Sequence, residues 1–134
     1  MRTLLAVLAV CALATACTRT VPPDNREGIA RDFQAGQLKP DPQGVVHLPP
    51  NLADASIGGQ AFVTKNQTAV WLLLRTWRGK GANFTGYLYA PGPPLNLGSE
   101  VTLTTDAAGV IVSAESTVEK AVGGSWYIVH SGYD

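Results

Sequence analysis

The residues best placed to do chemistry in this 134-residue chain lie between Leu74 and Tyr89, LRTWRGKGANFTGYLY. Arg75, Arg78 and Lys80 are interleaved there with Trp77, Phe84, Tyr87 and Tyr89 around a glycine turn. Three cations near one loop tip attract an anion, and Gly79 and Gly81 let backbone N–H groups approach it closely. Arg and Trp also dominate the energetics of many interfaces, and Arg forks onto a carboxylate or stacks on an aromatic face. Arg75, Trp77, Arg78, Lys80 and Tyr87 are therefore the expected partner-binding or anion-binding residues. The alternative is a solvated hairpin tip, with Trp77 and the tyrosines packed at the strand ends. A Walker phosphate loop is excluded, because Gly81 follows Lys80 where Ser or Thr is required.

Catalytic chemistry has little to work with, and no catalytic residue is assigned. Cys11 and Cys17 are the only thiols. His47 and His130 have no carboxylate at a metal-ligand spacing and read as strand-end or surface residues, so no metal site is expected. The serines show no nucleophile elbow. Asp54, Glu115 and Glu119 have no spacing that forces two of them together, and Glu115 and Glu119 read as the solvent side near a strand end. No nicotinamide, flavin or haem motif appears, and no cofactor is expected.

These residues sit in a region of short β-type runs that begins at Gly44. The candidates are 45–48, 60–65, 68–77, 83–90, 100–105, 110–118 and 125–130, most of them joined by hairpin-like links such as Asn66-Gln67 and Gly123-Gly124. Sequential hairpins predict an antiparallel meander. Val101, Leu103 and Thr105 alternate with Thr102 and Thr104, as a strand with one buried face does. In Val70 to Leu74 both faces are apolar, which predicts a central strand covered on each side. About seven strands with an apolar face must curl up, so the fold class is mainly β, a small antiparallel β-barrel or sandwich.

Ahead of this domain, residues 17–43 are rich in Pro, Asp, Arg and Gln and read as a tether carrying one short helix. Asn25 would cap it, Glu27 lies in its first turn, and Gly36 ends it. Ile29 and Phe33, four apart, share a face that should dock on the domain.

The first sixteen residues have the order of a secretory signal: Arg2, then the apolar run Leu4 to Leu13, then Ala14-Thr15-Ala16 before Cys17. That run is about half of the roughly 20 residues needed to span a bilayer. The segment LATAC, residues 13–17, resembles a bacterial lipobox, with Ala14 where lipoboxes favour Leu and Leu13 one residue further out. Ala14-Thr15-Ala16 also fits ordinary signal cleavage. What the resemblance implies is diacylation of Cys17, anchorage to a membrane through that lipid, and a place in the bacterial cell envelope. Because Thr18 and not Asp follows the anchor, it implies the outer membrane, facing the periplasm, in a Gram-negative host. The domain boundaries expected are then 1–16 signal peptide, 17–43 lipidated tether and 44–134 β-domain.

With Cys11 in the signal and Cys17 acylated, no disulfide is available and burial alone must hold the domain. Without Arg2 the balance is nine basic against ten acidic residues. A near-neutral surface argues against nucleic acid as a partner. The function expected is a non-enzymatic binding or structural module of the envelope, with an envelope protein or cell-wall glycan as partner. One alternative is an inhibitor that inserts the Arg78-Gly79-Lys80 tip into an acidic enzyme cleft, similar in outline to small lysozyme-inhibitor lipoproteins with β-barrel folds. Another is a hydrolase without a recognisable motif.

Overall fold

The computed structural model describes residues 20–66, 69–78, 83–105 and 114–132. Among these residues one α-helix, α1 (Pro23–Gln34), precedes seven strands: β1 (Val45–His47), β2 (Gln60–Asn66), β3 (Ala69–Arg78), β4 (Phe84–Tyr89), β5 (Glu100–Thr105), β6 (Ala114–Gly123) and β7 (Trp126–Ser131). The strands run in the order β1-β2-β3-β4-β7-β6-β5, and a further pairing of β2 with β5 closes the last six into an antiparallel barrel. β1 is the extra strand, added to β2 through Val45 to His47. The fold class is thus a mainly β barrel with, among the described residues, a single α-helix ahead of it.

The meander is corrected at one place. β4 pairs with β7 and not with β5. The link between β4 and β5 is not a hairpin: Pro91, Pro93 and Pro94 cannot donate to a ladder, and the chain instead crosses one end of the barrel. Leu95 packs there against the barrel core, its N–H donating to the Tyr127 hydroxyl at 3.1 Å. β5, β6 and β7 then return beside β4. The closing seam is short, two residue pairs at Thr64–Thr105 and Lys65–Thr104, and the Thr64 hydroxyl adds a bond to the Thr104 carbonyl at 2.9 Å. The sixth strand begins at Ala114 and runs on to Gly123, five residues beyond its expected end. Residues 110–113 of the expected run lie outside the described residues.

Strand alternation sorts the apolar side chains into two layers. Trp71 and Leu73 of β3 join Phe62, Leu88, Leu103, Val118 and Val129 inside the barrel. Leu72 and Leu74 face outward, where they pack with Tyr87, Tyr89 and Trp126 beneath α1 and the segments flanking β1. The expectation that β3 is covered on both faces therefore holds for Trp71 to Leu74, each buried. Val70 departs from it at 49% exposure.

The helix differs from its expected start. Asn25 does not cap it; Pro22 holds the N-cap position, and Pro23 opens the first turn, where its missing N–H costs nothing. Its end is as read, with Gly36 in the left-handed region at φ 76°. Arg26, Ile29, Ala30 and Phe33 form the inward stripe at spacings of three and four. Among the described residues no helix is long and apolar enough to cross a membrane.

Candidate functional site

The hairpin residues expected to bind a partner are distributed over both faces of the sheet. Arg75 follows Leu73 by two positions and points into the barrel, 4% exposed, its guanidinium 5.3 Å from the Phe62 ring centre and 5.9 Å from that of Phe84. Its backbone N–H, at the point where β2 has peeled away, donates to the buried Ser56 hydroxyl at 2.9 Å. Gly86 stands opposite Arg75 on β4, and a methyl group there would collide with the Leu74 carbonyl. Glycine is required at that position by the close approach of the two backbones.

Tyr87 points the other way, buried in the outer layer with the Arg26 guanidinium 5.4 Å from its ring centre. Trp77 is half-buried, beyond a register shift in the β3–β4 ladder that falls at Thr76. Arg78 is paired through its backbone with Phe84 at the end of β3. Lys80 lies outside the described residues, as does Cys17. Arg75 and Tyr87 therefore do not share a surface, and each is engaged in packing.

The structure does form a cleft elsewhere, between α1 and the β6–β7 turn, with a volume of about 320 Å³. That lies near the lower end of small-ligand sites. Pro23, Arg26, Glu27 and Ala30 of the helix make one wall, and Tyr89, Trp126 and the Val122-Gly123-Gly124 turn make the other. Arg26 is 9% exposed and its Nη2 donates to the Val122 carbonyl at 3.2 Å, tying the helix to the turn. Tyr89 and Trp126 meet with ring centres 5.1 Å apart, Phe33 approaches Tyr89 edge-on at 6.4 Å, and Gln34 Nε2 donates to the Tyr89 hydroxyl at 2.5 Å. The Trp126 indole N–H is buried with no hydrogen-bond partner. Its ring turns Cδ1, the carbon bonded to that nitrogen, toward Gly124. The turn needs positive φ at Gly123, Gly124 and Ser125, which the two glycines adopt without strain.

Aromatic side chains and a cation tied to the turn thus border one cleft. Sequence reading missed it because its parts come from the supposed tether and from the last hairpin. One signal was present: Arg26 stands three residues before Ile29, within the helix's apolar stripe, where an exposed charge is out of place.

The remaining titratable groups act locally. His47 ends β1 on the surface, and a carboxylate is beside it after all: Asp41 Oδ2 lies 3.4 Å from its Nε2. Asp41 Oδ1 accepts the N–H groups of Val45 and Gln43 at 3.0 and 2.9 Å. Chiefly through the Val45 bond, its carboxyl is held below the ordinary value. His130, on the outer face of β7, has Nδ1 2.9 Å from the Thr85 hydroxyl. Glu115 and Glu119 are on the solvent side of β6, Glu115 next to its start and Glu119 in its middle, and Glu115 accepts a bond from Thr102 at 2.6 Å. Among the described residues no three His, Cys, Asp or Glu side chains gather as a metal site would require.

The class of molecule defined by this geometry is a small closed antiparallel barrel with a helix docked on its outer face and a cleft at the junction. Comparison with protein-family models, with curated proteins and with solved structures found no match to this chain.

Proposed function

We propose that the chain is a bacterial envelope lipoprotein, acylated at Cys17, whose barrel is a non-enzymatic binding or structural module. The observation that carries the reading is the N-terminal order of Arg2, a ten-residue apolar run and small residues immediately before Cys17. In a Gram-negative host the protein belongs on the outer membrane, facing the periplasm, since Thr18 follows the anchor. Its partners are an envelope protein or a cell-wall glycan. The cleft between α1 and the β6–β7 turn supports a binding role, because aromatic side chains and an oriented cation suit recognition of a polar ligand. The inhibitor alternative rests on the Arg78-Gly79-Lys80 tip, of which Gly79 and Lys80 lie outside the described residues, and no specific observation favours it.

Mass spectrometry of the membrane fraction should find a mature N-terminus at Cys17 carrying diacylglycerol, and Cys17→Ser should move the protein to the soluble fraction. A soluble, unmodified wild-type protein would overturn the lipoprotein reading. Affinity capture of the intact protein from its own envelope, with bound proteins and glycans identified, then names the partner.

A further inference from the structure

The segment that reads as a tether is, from Val21 onward, part of the fold. Val21 is 1% exposed within the outer apolar layer, α1 begins two residues later, and Leu38 beyond the helix is buried in the same layer. Only residues 18–20 separate Cys17 from this packed point. Four Cα steps of about 3.8 Å give a reach of at most about 15 Å. A lipid on Cys17 therefore holds the barrel close to the bilayer.

The topology says which end is held. Pro23, at the start of α1, lines the cleft together with Gly123 and Gly124, so the chain enters beside the β6–β7 turn. β4 ends at this same end, because Tyr89 pairs with Trp126 at the start of β7. β2 ends there as well, since Asn66 pairs with Ala69 at the start of β3. The opposite end holds the last residues of β1, the 48–59 segment, the end of β3 at Arg78 and the start of β4 at Phe84. A ten-residue strand is about 33 Å long, which a barrel tilt of 35–45° reduces to a height of about 25 Å.

Resting on the proposed acylation of Cys17, we infer that the protein stands on its membrane on the β6–β7 end, with lipid headgroups as the neighbours of that end. The opposite end, with the 48–59 segment and the mouth of the β3–β4 hairpin, is presented to the envelope space. Two acyl chains suffice for stable anchorage without a basic patch. This matches the exposed side chains at the anchored end, which include Asp24 and Glu27.

The acylated full-length protein can report its own orientation, because the mature chain has no cysteine besides Cys17. Asp24→Cys and Asn51→Cys, both at exposed positions at opposite ends, are each labelled with a small fluorophore. The proteins are reconstituted into phosphatidylethanolamine and phosphatidylglycerol vesicles containing nitroxide-headgroup lipid. The label at 24 should be quenched several-fold and the label at 51 left unchanged; Glu27→Cys, one turn further along α1, should follow 24. Equal quenching at 24 and 51, or the reverse order, overturns the orientation while an intact mass that includes diacylglycerol leaves the lipoprotein reading standing. An intact mass without lipid overturns both.

Discussion

The inside of the barrel and the layer beneath α1 are opposite faces of the same strands, yet they are closed in different ways. Inside, Trp71, Leu73, Leu88 and Val129 are enclosed by a closed ring of paired strands. No part of that enclosure can leave without breaking strand pairs. Outside, Tyr87, Tyr89 and Trp126 are covered by a helix that is held by its apolar stripe and by two polar ties, Arg26 to Val122 and Gln34 to Tyr89. A docked element can open with less loss than a closed ladder, and regions that open at low cost are where binding sites are commonly found. The cleft lies in this second layer. The contrast sets a closed ring of strand pairs on one face of the sheet against a docked, cleft-bearing helix on the other.

The largest expected effects come from emptying each layer in turn. Leu73→Ala inside the barrel and Ile29→Ala under the helix remove fully buried side chains, and each should lower unfolding free energy by about 2–5 kcal/mol. Native-state hydrogen exchange separates them. Leu73→Ala should lower protection throughout the strands, whereas Ile29→Ala should act most on the α1 amides. Equal loss at every amide in both variants would make helix and barrel one cooperative unit and end the comparison.

Next comes the tie across the junction. Arg26→Met keeps the stem that packs near Tyr87 but removes the charged bond to the Val122 carbonyl, for an expected loss of about 1.5–3 kcal/mol in a urea titration. A loss confined to α1 protection sharpens the contrast between the layers; an unchanged urea midpoint would remove Arg26 as the tie.

The smallest effect belongs to Asp41, which is half-buried and arranges the entry to β1. A carboxylate whose folded pKa is depressed contributes stability that is fully present above its ordinary value of about 3.9 and is lost as pH falls through the lower folded value. The stability difference between wild type and Asp41→Asn should therefore be greatest near neutral pH and shrink in acid. A difference that does not change with pH would show that the Asp41 charge contributes nothing to the β1 entry.

Much of this molecule was legible along the chain because burial imposes a period. Alternation located the strands, the doubly apolar Trp71 to Leu74 marked the strand covered on both faces, and Ile29 with Phe33 marked a docking helix. Glycines marked the β6–β7 turn. Partner choice was not legible, since alternation says which face of a strand is buried but not which strand lies beside it. The pairing of β4 with β7 and the Thr64–Thr105 seam depend on contacts between residues about 40 positions apart, which close only when the whole sheet curls. The same limit governed the candidate site. The density of cations and aromatics in Leu74 to Tyr89 was visible in sequence, but strand parity and pairing place Arg75 inside and Tyr87 outside, and tertiary packing alone brings Arg26 to the Val122 turn. Local spacing fixes what each residue offers, and closure of the barrel decides what it meets.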